Sequence, residues 1–249
     1  MPFTARFAPF GPVHVAILAA VPAAAFLLAR LVRARPAWEA PARVAVALAL
    51  LVNQLAYVAY AADRGWIDPP RGLPLELCDV AVWLAVAALL GAPAWAREAL
   101  WFLALAGTTQ ALVTPDLGVA WPSYPAVKFF LGHGGTVAAA LFLAFAGRLR
   151  PRRGAWWRVL LLVNAYAALL LAVNLAGGTN YMYLRAKPDA ASLLDHLGPW
   201  PWYLLACEAI AAASFLLLEL PFRLGEERGG AGATGPPAPP VPAPRKFRS

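Results

Sequence analysis

The chain has 249 residues, of which 61% are hydrophobic and 14% are charged, and its formal net charge is +8. Soluble domains are nearer half apolar and a quarter charged, so this composition excludes an ordinary soluble protein, and the mean hydropathy of +0.61 indicates a membrane protein. The apolar stretches are continuous rather than alternating, which excludes a membrane β-barrel. The basic residues lie between these stretches, which argues against a nucleic-acid partner.

Seven apolar stretches follow one another along the chain. Each is long and apolar enough to cross a hydrocarbon core of about 30 Å at about 1.5 Å per residue. They predict an all-α polytopic bundle of about seven transmembrane helices within residues 1–224. The predicted spans are Val13–Leu31, Val44–Ala62, Leu73–Ala92, Ala99–Val113, Ala126–Gly147, Val159–Ala176 and Trp202–Leu220.

The distribution of lysine and arginine predicts the orientation of this bundle. With the N-terminus outside, 15 of the 21 Lys and Arg residues fall in inner segments. Because cytoplasmic segments are enriched in these residues, we expect an N-out, C-in protein of the cell membrane.

The last segment of the chain, Gly225–Ser249, differs abruptly from the rest. It is rich in glycine and proline and has almost no large apolar residue, so it cannot bury a core of its own. We therefore expect a disordered cytoplasmic tail after the transmembrane domain.

Polar side chains gather at one depth of the predicted spans, although such groups are costly inside a membrane. Cys78 lies about five residues and His133 about seven residues from the outer ends of their spans, or roughly 8–10 Å deep. These positions predict a water-accessible cavity that opens toward the outer leaflet. The other polar residues near this level are Glu76, Asp79, Gln110, Asn174 and Glu208.

Cys78 and His133 together have a specific chemical use. A thiol is a weak nucleophile until a neighbouring base takes its proton, and His133 is a candidate for that base. Gln110, Asp116 and Asp195 are candidates for an amide or carboxylate that orients the pair. The same residue types also have structural uses, since intramembrane cysteine often only packs and polar side chains often only join helices.

The two cysteines, Cys78 and Cys207, lie far apart in the sequence and form no C-x-x-C motif. They therefore predict neither a zinc site nor a disulfide scaffold. We expect no metal or cofactor.

Six collinear motifs resemble the YwaF-like family of integral membrane proteins, which is related to the acyltransferase called transmembrane protein 164. The resemblance covers roughly Leu73–Tyr203. The motifs are Leu73-Pro-Leu-Glu-Leu-Cys78, Gly107-Thr-Thr-Gln110 to Thr114-Pro-Asp116, Phe130-Leu-Gly-His133-Gly, Gly178-Thr-Asn-Tyr-Met-Tyr-Leu184 with Lys187-Pro188, Ser192-Leu-Leu-Asp195, and Leu197-Gly-Pro-Trp-Pro-Trp-Tyr203.

The resemblance implies a chemistry for the pair. It assigns Cys78 as the nucleophile that accepts a fatty acyl chain from a phospholipid, and His133 as the base and later the acid. The acyl chain would pass to a lysophospholipid. An oxyanion forms during such attack and needs hydrogen-bond donors, for which Gln110, Asn180 and Tyr181 are candidates.

Other functions of membrane proteins remain alternatives to this chemistry. A non-enzymatic receptor or sensor with an outward-facing polar pocket is the main one. A two-halved transporter would show an internal repeat, which the sequence lacks, and a retinal protein would need a lysine in the last predicted span, which has none.

Overall fold

Helices dominate the architecture, and the described residues contain no strand. The computed structural model describes residues 7–70, 72–115, 117–188 and 193–231. Short 3-10 turns cover Pro36–Trp38, Tyr181–Tyr183 and Leu193–Leu197. The α-helices are α1 Pro12–Ala34, α2 Glu39–Asp63, α3 Leu77–Leu89, α4 Ala94–Phe102, α5 Thr109–Val113, α6 Tyr124–Phe145, α7 Ala155–Gly177 and α8 Trp202–Ala231.

Five segments are long and apolar enough to cross a membrane: α1, the segment Pro36–Asp63 that contains α2, α6, α7, and Trp202–Leu224 of α8. The chain is therefore a multi-pass α-helical membrane protein, as the sequence predicted. Helix α3 is apolar but has only 13 residues, or about 20 Å of helix.

The fourth predicted span is divided into three helical segments that follow one another without a break from 94 to 113. A π-helical segment, Leu103–Thr108, lies between α4 and α5. The hydroxyls of Thr108 and Thr109 donate to the carbonyls of Leu103 and Ala104, five residues earlier, at 3.2 and 3.0 Å. These bonds match the i to i+5 pattern of a π-helix, which often occurs at functional sites.

Helix α6 is the central helix of the bundle. It contacts α1, α2, α3, α4, α5 and the π-helical segment. In its most apolar stretch of 18 residues, 56% are buried, against 17–22% in the corresponding stretches of the other four candidate spans. Its glycines permit this packing, because a Cβ at Gly135 would lie 2.7 Å from Leu50 and one at Gly134 would lie 3.0 Å from Val21. Small residues at helix contacts are the usual means of close packing in membranes.

The bundle has two ends, which we name after one residue each. The Cys78 end comprises the starts of α1, α3, α6 and α8 and the ends of α2, α5 and α7. The Glu98 end comprises the ends of α1, α3 and α6, the starts of α2, α4 and α7, and the second half of α8. The helices alternate in direction, with α4, the π-helical segment and α5 running together as one.

The predicted tail begins within the last helix. Helix α8 continues to Ala231, which includes the first residues of the segment predicted as a tail. Residues 232–249 lie outside the described residues, so the division at residue 225 stays a prediction.

Candidate functional site

Cys78 is the second residue of α3, directly after the loop that enters this helix. Tyr181 fixes that loop, since its hydroxyl donates to the carbonyl of Pro70 at 2.7 Å and accepts from the backbone N–H of Leu73 at 3.0 Å. The hydroxyl of Tyr166 donates to the carbonyl of Leu75 at 2.8 Å. The chain just before Cys78 is thus held by side chains from α7 and the loop that follows it.

Cys78 and His133 line the same small cavity, although they lie on different helices and 55 positions apart in the sequence. The cavity has a volume of ≈ 10 Å³, which is about the room that one water molecule needs. Each of three helices contributes polar residues to its lining. The lining residues are Gln54 of α2, Cys78, Asp79 and Val82 of α3, and Lys128, Gly132 and His133 of α6.

One ring nitrogen of His133 is engaged by the protein. Nδ1 lies 2.9 Å from the carbonyl oxygen of Phe129, and because a carbonyl only accepts, Nδ1 must carry the proton of this bond. The neutral imidazole then has its lone pair on Nε2. The Phe129 ring stacks on the imidazole with centroids 4.1 Å apart, so the histidine is both oriented and held in the tautomer that a base requires.

Charged and amide groups surround the pair. Gln54 is 1% exposed and its Nε2 donates to Oδ1 of Asp79 at 3.1 Å, whereas its Oε1 is buried with no hydrogen-bond partner. The Lys128 ammonium interacts electrostatically with Asp79 and Cys78, and it lies 4.0 Å from the centre of the Tyr57 ring. The cavity therefore holds one cation, one carboxylate and an amide oxygen that lacks a partner.

The thiol itself is available for chemistry. Cys78 and Cys207 are both free and half-buried, so no disulfide joins them. The Thr108 hydroxyl of the π-helical segment interacts with the Cys78 side chain, which places the irregular part of the 94–113 segment beside the thiol.

The structure gathers only part of the predicted site. Cys78, Asp79 and His133 come together, while the Gln110 side chain is exposed and does not line the cavity. Asp116 lies outside the described residues. Asp195 is exposed in the turn Leu193–Leu197, and the carboxylate of Glu208 accepts from Asn164 at 2.7 Å.

Asn174, Asn180, Tyr181 and Glu76 hold loops at the Cys78 end rather than line the cavity. Oδ1 of the buried Asn174 accepts from the Thr179 hydroxyl at 2.7 Å and from the Tyr181 backbone at 2.8 Å. The side chain of Asn180 bonds to the backbone of residues 185 and 186. Glu76 accepts from the backbone N–H of Met182 at 3.1 Å.

Two polar cavity residues, Gln54 and Lys128, were not among the predicted site residues. Lys128 precedes Gly132 by one helical turn, so both face the same side of α6, and this spacing is readable from the sequence. Gln54 is a buried amide in a long apolar helix, which is also an unusual feature. The sequence does not show how α2 is rotated about its axis relative to α6.

The Glu98 end carries a second group of carboxylates, all saturated by partners. Glu98 is 2% exposed, and Arg152 donates its Nε and Nη2 to the two Glu98 oxygens at 2.6 and 2.8 Å. This hydrogen bonding raises the pKa of the Arg152 guanidinium. Glu219 is fully buried and accepts from the backbone N–H groups of Gly154 and Trp156, each at 2.8 Å.

The described residues contain no group of three His, Cys, Asp or Glu side chains that could hold a metal ion.

Comparison with known proteins identifies the family. The model of the TMEM164 family matches residues 9–219, which is most of the chain, so the protein belongs to the TMEM164 family. This match confirms the predicted relation to transmembrane protein 164. No curated protein and no solved structure matches the chain.

Proposed function

We propose that the protein is a membrane-embedded acyltransferase, which moves a fatty acyl chain from a phospholipid to a lysolipid-type acceptor through a thioester on Cys78. The observation that carries the proposal is that Cys78 and His133 line one cavity. Membership of the TMEM164 family and the resemblance to an acyltransferase of that family support the choice of substrate.

The first half of the proposed reaction forms the thioester. His133 Nε2 takes the thiol proton, and the sulfur attacks the carbonyl carbon of the phospholipid ester to give a tetrahedral oxyanion. Collapse of this intermediate breaks the bond between the carbonyl carbon and the glycerol oxygen. The leaving alkoxide takes the proton from His133, so a lysophospholipid departs and the acyl group stays on Cys78.

The second half reverses these steps with a different alcohol. The hydroxyl of the acceptor gives its proton to His133 and attacks the thioester carbonyl. The carbon–sulfur bond then breaks, the acyl ester leaves with the acceptor, and the proton returns from His133 to the thiolate. The two half-reactions balance in atoms and protons without an oxidant, a metal or a cofactor.

Lys128 takes the electrostatic role in this proposal. Its ammonium interacts with Cys78 and so lies where negative charge develops on the thiolate and on the oxyanion. A preorganised charge at such a place is usually the largest contributor to catalysis. Asp79 balances Lys128 in the ground state, and Gln54 fixes Asp79 through its amide N–H.

The proposal places the reaction in the outer leaflet of the cell membrane, with seven crossings. Helix α3 and the 94–113 segment supply the two crossings beyond the five long spans. Most basic residues then flank the Glu98 end, and the positive-inside rule places that end in the cytoplasm. Cys78 consequently faces outward, near the depth of a phospholipid ester bond.

Access to the site requires a conformational opening. A cavity of ≈ 10 Å³ holds about one water molecule and no acyl chain. We expect α3 and α6 to separate so that the ester enters sideways from the bilayer while its chains remain in lipid, where they keep their apolar surroundings.

The covalent intermediate provides the direct test. Purified protein is incubated with a phospholipid that carries a labelled acyl chain, without acceptor, and its intact mass is measured before and after hydroxylamine, which cleaves thioesters. We expect one labelled acyl group on the wild type and on Cys207→Ala, and none on Cys78→Ala. Cys78→Ser should be nearly inactive, because a serine hydroxyl is far less acidic than a thiol.

One result would contradict the proposed acyl transfer through Cys78. If Cys78→Ala transfers acyl groups as the wild type does, the thiol only packs against its neighbours. The polar cavity would then belong to a non-enzymatic receptor or sensor.

A further inference from the structure

A groove of ≈ 620 Å³ lies on the outer surface of the bundle at the Glu98 end, on the side of α4 and α7. Its volume falls within the roughly 300–1,000 Å³ that is usual for ligand sites. The lining combines two tryptophans, a basic pair with one carboxylate, and an apolar strip. The lining residues are Trp95, Glu98, Arg152, Trp157, Arg158, Val159, Leu161, Leu162 and Ala165.

Arg158 has two guanidinium nitrogens that lack hydrogen-bond partners. Its Nε and Nη2 are buried and have no hydrogen-bond partner, while Nη1 donates to the carbonyl of Arg153 at 3.0 Å. The nearest carboxylate atom, Oε1 of Glu98, lies 3.8 Å from Nη2, which is too far for a hydrogen bond. A buried donor without an acceptor is costly, so this pair of nitrogens calls for an acceptor.

Two other arginines at the same end show what the Nε and Nη2 edge binds. Arg148 uses this edge to hold both oxygens of Glu39 at 2.6 and 2.7 Å. Arg152 holds both oxygens of Glu98 in the same way, whereas Arg158 has only the longer ion pair with Glu98, at 3.8 Å. The fork geometry of this edge suits carboxylate and phosphate oxygens equally.

We propose that the groove binds one anionic phospholipid, with its phosphate on the Nε and Nη2 edge of Arg158. Arg158 lines the groove and its side chain is 35% exposed, and binding requires the guanidinium to turn its buried Nε and Nη2 edge toward the ligand. Free phosphate fits less well, because the groove continues from the charged end onto an apolar strip of α7 that includes Leu161 and Leu162, 60% and 50% exposed.

The geometry of the lining fits one lipid from head to tail. Trp95 and Trp157 are 53% and 46% exposed and lie beside the charged end, as tryptophans do at headgroup depth. Leu161, Leu162 and Ala165 extend along α7 away from that end and provide the surface for an acyl chain. Basic pockets between transmembrane helices are known sites for anionic headgroups.

This site is distinct from the Cys78 cavity. It lies at the opposite end of the bundle and uses different helices, so the inference does not depend on the acyl transfer proposed above. Its test can also be made on the Cys78→Ala protein, in which no lipid is consumed.

The experiment is a titration of the detergent-purified full chain with phosphatidylglycerol, followed by native mass spectrometry. We expect one retained lipid on the wild type. Arg158→Gln should weaken this binding roughly 10- to 100-fold, as expected for the loss of hydrogen bonds to a charged group, and Arg158→Lys should weaken it less. Arg150→Gln removes an exposed charge from the same end and should leave the affinity unchanged.

Two further arms separate the lipid from its headgroup and guard against misfolding. Leu162→Asn keeps every charge and should also weaken retention, while millimolar inorganic phosphate should not displace the lipid. The proposal is overturned if Arg158→Gln binds like the wild type, if Arg150→Gln weakens binding equally, or if inorganic phosphate competes.

Discussion

The two ends of the bundle both bury charged groups, but they treat them differently. At the Glu98 end, the carboxylates of Glu98 and Glu219 each accept three hydrogen bonds from arginines and backbone N–H groups, two on one oxygen and one on the other. At the Cys78 end, Gln54 Oε1 has no partner, and His133 uses only Nδ1 within the protein.

The difference is one of hydrogen-bond satisfaction. Buried polar groups that only stabilise a fold are normally fully hydrogen-bonded, because an unmet bond costs about 1–3 kcal/mol. Glu98 and Glu219 follow that rule and join the 146–154 loop to α4 and α8. Gln54 at the Cys78 end and Arg158 at the Glu98 end do not follow it, and a buried group without a partner calls for a specific explanation such as a bound ligand or a reacting group.

The largest expected effect is on chemistry at the Cys78 end. His133→Ala should lower the rate of thioester formation by about 10²–10⁴-fold, the usual contribution of a general base, with little change in thermal stability. The measurement is the time course of labelled acyl uptake by intact mass. His196→Ala removes an exposed histidine near the same end and should leave that rate unchanged; equal losses in both variants would contradict the assignment of the base.

The next effect concerns the cation of the cavity. Lys128→Met should lower the same rate by about 10²-fold, since one electrostatic contributor to an oxyanion is typically worth about 10²–10³, and Lys128→Arg should recover part of it. Lys187→Met is the matched control, because Lys187 lies over the Tyr203 ring at the same end and outside the cavity. A normal rate for Lys128→Met would mean that this ammonium serves only Asp79 and Tyr57.

The sequence specifies the fold well because apolar length is a direct physical requirement of the bilayer. Five predicted spans correspond to helices of membrane-crossing length. The π-helical segment Leu103–Thr108 was not predicted. It differs from an α-helix in bonding five rather than four residues back along the chain, and the apolar length of a span does not show this difference. The fourth predicted span starts five residues too late for another reason. The helix begins at Ala94 and includes the charged residues Arg97 and Glu98, which have hydrogen-bond partners at the end of the bundle.

Three of the residues that line the cavity, Cys78, Asp79 and His133, were among the predicted site residues. Cys78 and His133 were identified by their motifs and their common depth. Depth does not give the rotation of a helix about its axis, so the exposed Gln110 was included and the buried Gln54 was left out. The same reason led to the assignment of three further residues to the pocket, namely Asn174, Asn180 and Tyr181. In the structure they stabilise loops, partly through contacts between residues far apart in the sequence, which helical periodicity does not predict.

At the Glu98 end the expected effect is on stability. Glu219→Ala removes the acceptor of two backbone N–H groups at the start of α7 and leaves them buried, which should cost roughly 2–4 kcal/mol. The measurement is the midpoint of thermal unfolding in detergent, together with the acyl uptake rate per folded molecule, which should not change. Glu208→Ala, on the same helix with Asn164 as its partner, should cost less; a lost reaction rate in stable Glu219→Ala protein would contradict the division between the two ends.

The smallest predicted effect tests whether a polar residue that holds a loop also supports the reaction proposed at Cys78. Tyr181→Phe removes the hydroxyl that donates to Pro70 and accepts from Leu73, and two neutral hydrogen bonds are together worth about 1–3 kcal/mol. Because these bonds fix the loop directly before Cys78, we expect a lower unfolding midpoint and a fall of less than about tenfold in acyl uptake, since small displacements of a reacting group reduce rates. Tyr124→Phe is the control, as the Tyr124 ring is 39% exposed and packs on Tyr60 with centroids 4.7 Å apart. If Tyr181→Phe reduced uptake as strongly as His133→Ala while its unfolding midpoint stayed normal, the Tyr181 hydroxyl would act on the substrate itself, and the original assignment of Tyr181 as an oxyanion donor would be restored.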